Sequence, residues 1–341
     1  MMLSVILGLP LVALALATPV SNNANDVDGT SGGTSDGTPD DVARVLERGF
    51  LPTDLAGVVK VLEKGLPPDI PSEVAAIAAI LEQGPPRTQV SSGVYEKLSY
   101  YAQFPGSATV CVHKPAEGIV EQLYVNETTT DTQAMIYRLD SRKELILAIP
   151  GTQSGRDWDT DYNWRLVDYK SCESCKAHHG FLTAWESIAD EVERGLESAL
   201  RSYPGYSVTI VGHSLGGALA ELAFGSLKPK PLSVSQVITY GAPRVGNTGF
   251  ADYIDKLAGA SNSDAGISYR VTHYDDTVPH LPPFFFGFTH PRTEYWQSAD
   301  KPAEASTYRC YGHESLDCIF GRVPSSKSDA HGTYAGMKPF C

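Results

Sequence analysis

The stretch Ser207-Val208-Thr209-Ile210-Val211-Gly212-His213-Ser214-Leu215-Gly216-Gly217 decides how this chain is read. The β-branched run from Val208 to Val211 predicts a buried strand. It leads without a spacer into Gly212, and from Gly217 to Leu227 the pattern is helical. A serine on so tight a strand-to-helix turn needs small neighbours, which Gly212, Gly216 and Gly217 supply. The turn pushes the hydroxyl out above the sheet and leaves helix N-terminal amides beside it. A bare Gly-x-Ser-x-Gly arises by chance in loops, but between these elements it marks Ser214 as a nucleophile. His213 faces away from that hydroxyl and reads as a packed neighbour, not as the base.

Working outward, Glu144 to Ile149 is a short apolar run ending at Pro150-Gly151. Apolar residues at helical spacing (Trp185, Ile188, Ala189, Val192, Leu196, Leu200) predict a helix between Phe181 and Tyr203, stopped by Pro204. Val237 to Tyr240 and Tyr269 to His273 are two further strands. Alternating strands and helices imply an α/β domain with a mostly parallel central sheet and helices on both faces. A nucleophilic serine needs an acid and a histidine, which in such a fold follow it in that order. Asp275 and Asp276 close the strand Tyr269 to His273, where sheet ends present catalytic groups. Four histidines follow, His280, His290, His313 and His331. His280 is too close to the acid's own turn, and His313 sits between Cys310 and Cys318. The residues alone leave Asp275 or Asp276, and His290 or His331.

Composition narrows the partners. Among 341 residues, 40 acidic against 27 basic side chains give a formal charge of −13. Such a surface repels phosphate backbones, so no nucleic-acid partner is expected. Residues 1–17 read as a signal peptide: an apolar run interrupted by Pro10, too short to span a bilayer, and ending in Ala15-Leu16-Ala17. No later segment is long enough to cross a membrane, so the expected product is secreted and extracellular. Six cysteines, Cys111, Cys172, Cys175, Cys310, Cys318 and Cys341, agree with an oxidising compartment. The sequon Asn126-Glu127-Thr128 makes Asn126 a glycosylation candidate. Residues 18–90 begin as a Gly, Ser, Thr, Asn and Asp tract without periodicity. A weak repeat follows, with Val45 to Gly49, Val61 to Gly65 and Ile80 to Gly84 each closing a short helical pattern before a proline. These pieces are too short to stand alone and read as a propeptide ahead of a catalytic domain over 91–341.

From Leu98 to Cys341 the chain resembles the filamentous-fungal lipases of the class 3 α/β-hydrolase family and their relatives, the feruloyl esterases. The residues that carry the likeness are GHSLGG at 212–217, YGAPRVGN at 240–247, RVTHYDDTVPHLPP at 270–283, EYW at 294–296 and DAHGTYAG at 329–336. The resemblance implies that Asp276, two residues before Val278-Pro279, is the catalytic acid. It also implies that His331, ahead of Tyr334, is the base. Thr152 and the amide of Leu215 would form the oxyanion hole. The chain departs from the resemblance at Pro150, where relatives usually carry arginine. The implied disulfides are Cys111–Cys341, Cys172–Cys175 and Cys310–Cys318. No cofactor and no metal are implied.

The substrate is less determined than the nucleophile. Resemblance places a lid at 155–162, where Trp158 and Tyr162 share a face but three aspartates and Gly155 weaken an apolar helix. That favours an open esterase. Phe284, Phe285, Phe286 and Phe288, after the acid's turn, suit either an apolar cleft or ordinary core. The expectation is a monomeric triacylglycerol lipase acting on acylglycerols at a lipid–water interface. A feruloyl-type esterase is the alternative, and an inactive binding homologue is disfavoured by the complete Ser, Asp and His set.

Overall fold

The computed structural model describes residues 85–108, 115–151, 164–322 and 329–337, all within the second of two units of the chain, Ala79–Cys341. The elements run β1 (Thr88–Gln89), α1 (Ser92–Tyr101), α2 (Gln103–Ser107), β2 (Ile119–Glu127), β3 (Thr132–Leu139), β4 (Glu144–Ile149), β5 (Leu166–Asp168) and β6 (Lys176–His178). They continue with α3 (His179–Ser202), β7 (Ser207–His213), α4 (Leu215–Leu227), β8 (Val234–Tyr240), α5 (Thr248–Ala258), β9 (Ser268–His273), β10 (Glu294–Gln297) and β11 (Thr307–Cys310).

One nine-stranded sheet organises the domain, in the order β1-β11-β10-β9-β8-β7-β4-β3-β2. Strands β4, β7, β8, β9 and β10 pair in parallel. At the margins β2, β3 and β4 form an antiparallel meander, and β10, β11 and β1 pair antiparallel. Strand β4 shows why the sheet is central. Its residues are all buried, with Leu145, Leu147 and Ile149 in one core and Ile146 and Ala148 in the other. A period of two with both faces apolar is what a strand covered by helices on each side requires.

The first core packs α3, α4 and α5 through Trp185, Ile188, Val192, Leu222, Phe224, Phe250 and Ile254. The second packs α1 and α2 through Leu98, Tyr101 and Phe104 against Tyr137, Val211, Ile238 and Val271. The helix read from the sequence as 181–203 is α3, begun two residues earlier, where His178 accepts a hydrogen bond from the Phe181 amide. Helix α5 is capped by Asn247, which accepts from the Phe250 amide at 3.0 Å, and closes on Gly259. Cys172–Cys175 and Cys310–Cys318 are disulfides. The expectations for the signal peptide, the repeat over 45–84, Thr152, the lid at 155–162, Cys111 and Cys341 fall outside the described residues.

Candidate active site

Three of the expected groups meet at the C-terminal edge of the parallel strands, where open α/β sheets place their ligand sites. Ser214 lies between β7 and α4 with φ 57° and ψ −128°, a conformation that L-residues avoid unless the surroundings enforce it. The enforcement is local: Ser214 N–H bonds Tyr240 O at 2.9 Å, and Gly217 N–H returns to Ser214 O at 2.9 Å. A Cβ on Gly212 would collide with the main chain of Gly216, so the elbow closes only around glycine. Leu215 opens α4, and the first amides of a helix have no intrahelical acceptor. The chain leaving β4 passes directly alongside, since a Cβ on Gly151 would stand 3.0 Å from Ser214 Cβ. The residue after it, Thr152, lies outside the described residues.

Asp276 follows β9, in a turn where Tyr274 has positive φ. Its carboxylate is almost fully buried. The Asp276 oxygens lie 3.1 and 3.0 Å from His331 Nδ1; Oδ2 accepts from the Tyr334 hydroxyl at 2.6 Å and Oδ1 from the Val278 amide at 2.9 Å. Burial raises the acid's pKa, but His331, Tyr334 and the Val278 amide together hold it below the ordinary carboxylate range. Burial and the neighbouring Asp276 push Tyr334 well above the usual phenol value, so it stays a donor. His331, in the short turn Ala330–Gly332, presents Nε2 to Ser214 Oγ at 2.8 Å. With a carboxylate on Nδ1, the ring proton belongs there, and Nε2 accepts from the serine hydroxyl.

The alternatives that the residues left open separate in space. Asp276, not Asp275, faces His331. His290 is wholly buried with Nε2 on Pro279 O at 2.9 Å, and burial lowers it well below the usual imidazole value. His280 is pushed down to about 4 by burial and Arg244. His313 bonds Asp255 at 2.9 Å. Of the phenylalanines, Phe284 packs on Phe320, and Phe288 is core beside His178. Phe286 is 45% exposed and pairs with Trp164, ring centroids 4.7 Å apart.

Some supporting residues had no legible role in the sequence. Gly241, with φ 57°, sits where a Cβ would stand 2.9 Å from both Asp276 Oδ2 and the Tyr334 hydroxyl. Its signals in the sequence were a glycine directly after a strand end and its place in the motif YGAPRVGN at 240–247. Buried Arg244 grips Glu314 through two 2.8 Å bonds and donates to His280 O and Pro282 O at 2.6 and 3.0 Å, bracing the turn beyond Asp276. Among the described residues, Asp252, Asp255 and His313 bring metal-ligand atoms within 4.8 Å of one another, but Asp255 is engaged by Arg292 at 3.3 Å. The group shares no residue with the Ser214 cluster.

A parallel sheet carrying a serine on this elbow, with acid and imidazole on later loops, defines the α/β-hydrolase class. The family described as Lipase (class 3) matches residues 146–286. A secreted mono- and diacylglycerol lipase of Fusarium solani is 35% identical over 200 residues, covering 58% of this chain and 58% of that protein. Secreted mono- and diacylglycerol lipase A of Penicillium cyclopium is 31% identical over 224 residues, 64% of this chain and 71% of that protein. The solved structure of a Rhizomucor miehei lipase propeptide complex superposes with a TM-score of 0.65 at 28% identity, covering 81% of this chain and 91% of that one. The chain therefore belongs to the class 3 lipase family, and it spans 58% of the length of the Fusarium relative.

Proposed function

We propose that this protein is a secreted, monomeric serine carboxylic ester hydrolase, a triacylglycerol lipase acting on acylglycerols at a lipid–water interface. The carrying observation is the 2.8 Å contact between Ser214 Oγ and His331 Nε2 with Asp276 on the far ring nitrogen. His331 takes the serine proton as Oγ attacks the ester carbonyl. Asp276 holds the tautomer and stabilises the imidazolium that forms. The Leu215 amide and Thr152 bind the oxyanion, each donor contributing about 10²–10³ in turnover. His331 then protonates the departing alcohol, and water repeats the sequence on the acyl-enzyme.

A lipid substrate is supported by the partly exposed aromatic pair of Trp164 and Phe286, and by the names of the Fusarium and Penicillium relatives. Those same relatives are secreted, which supports residues 1–17 as a signal peptide, and among the described residues no helix is long and apolar enough to cross a membrane. The Rhizomucor propeptide complex supports residues 18–90 as a propeptide and 91–341 as the catalytic domain. Asn126 is exposed on β2, as a glycan site requires. The test is a comparison of an emulsified long-chain triglyceride with a methyl hydroxycinnamate. Faster turnover of the triglyceride is expected, and faster turnover of the cinnamate would replace the lipase with a feruloyl-type esterase.

A further inference from the structure

The turn that presents His331 is a single 3-10 turn, Ala330–Gly332, closed by Gly332 N–H on Asp329 O at 3.0 Å. So short a segment has no ladder of its own to fix it. Two other imidazoles reach it from the sheet. His213, the last residue of β7, places Nε2 2.8 Å from the main-chain oxygen of His331, and its ring lies 4.6 Å from the His331 ring at 36°. His273, the last residue of β9, is fully buried, with Nδ1 2.9 Å from Ala330 O and Nε2 2.9 Å from Ala299 O. A carbonyl oxygen can only accept, so His213 donates from Nε2; His273 faces a carbonyl at each ring nitrogen, and its Nδ1-protonated tautomer is the one that donates to Ala330 O. The two bonds fall on consecutive carbonyls of one turn, and they come from strand ends on either side of the β8 terminus.

We propose that His213 and His273 are positioning residues that pin the main chain of the His331 turn so that Nε2 meets Ser214 Oγ. This rests on the reading of His331 as the base. Neither ring exchanges a proton with substrate. Burial, with His331 beside it, drops His213 to about 3, so at neutral pH its ring proton stays on the nitrogen that faces the carbonyl. Catalytic groups must be held within about 0.5 Å of productive geometry, and neither His213 nor His273 is needed for the chemistry except through that placement.

The test uses the full-length secreted protein on a water-soluble p-nitrophenyl ester. A glutamine amide overlays imidazole Nε2 and an asparagine amide overlays Nδ1, so His213→Gln and His273→Asn keep the donors to the turn. His213→Phe and His273→Phe keep a ring and remove the donor, with leucine in place of phenylalanine for any variant not recovered folded. The donor-less variants should lose kcat by about 100-fold, the cost of an ångström-scale misplacement, with KM within about twofold. The amide variants should stay within about tenfold of the parent in kcat, at thermal midpoints comparable to the donor-less ones. Parental kcat in the donor-less variants would overturn the proposal. So would amide variants as slow as the donor-less ones, because the bond would then not be what matters. Ser214→Ala runs in parallel: activity in that variant would remove the triad reading itself, whereas its inactivity leaves any failure with the positioning role.

Discussion

At the scale of single residues, the site is a chain of donors that each have one place to go. Tyr334 and the Val278 amide occupy lone pairs of Asp276 that would otherwise be buried unpaired, and the remaining direction is left to His331. Asp276→Asn keeps the shape but permits the wrong imidazole tautomer. It should lower kcat by about 10³–10⁴-fold with little change in KM, read by steady-state kinetics. The same carboxylate links stability to pH. Its folded pKa is lowered, so its contribution is complete above the ordinary carboxylate value of about 4 and is lost as pH falls through the lower folded value. Acid unfolding followed by circular dichroism should therefore be steeper below about pH 4 for the parent than for Asp276→Asn. Equal slopes would mean that the acid is not held as the geometry indicates.

At the scale of elements, the β7-to-α4 turn is the tightest part of the fold, and its sequence is the least replaceable. Gly212→Ala would drive a methyl into the Gly216 main chain, where neither side can yield without moving Ser214. A loss of at least about 2 kcal/mol in stability is expected, together with loss of hydrolysis, checked by thermal melting and assay. This element was legible in the sequence because everything it needs is local: a β-branched strand, glycines, then a helix. Strands β4, β7, β8 and β9 and helices α3 and α4 were legible for the same reason. The marginal strands were not. In β3, Thr132 to Leu139, core and half-buried positions mix without alternation, and β10 and β11 are only four residues each, set in loop-like sequence. Telling His331 from His290 needed either a resemblance or coordinates, because the difference lies in what each imidazole meets: the Ser214 hydroxyl and Asp276 carboxylate for His331, a main-chain carbonyl for His290. The bonds from His213 and His273 to the His331 turn join positions more than fifty residues apart, and no local pattern encodes them.

At the scale of the whole molecule, the two cores hold the sheet edge rigid while leaving buried charge to be managed. Arg244 with Glu314 and Arg270 with Glu294 are paired ions behind the acid's loop. Glu221, buried in α4 about two helical turns beyond Ser214, is instead raised to about 8 by burial, with Arg270 only partly offsetting it. Because the folded pKa lies above the unfolded one, the folded state binds the proton more tightly. Stability should fall as pH rises from about 4 toward 8. Glu221→Gln should melt about 5 °C higher than the parent at pH 8 and much closer to it at pH 5; an equal difference at both pH values would rule out the buried neutral acid. All of this framework serves one geometry, a serine hydroxyl handed to a histidine that an aspartate orients. The most direct measurement is ester hydrolysis by purified Ser214→Ala beside the parent. Turnover reduced by about 10⁶-fold in a protein with the parental melting curve is expected, and a Ser214→Ala protein that still hydrolyses esters at the parental rate would contradict the account.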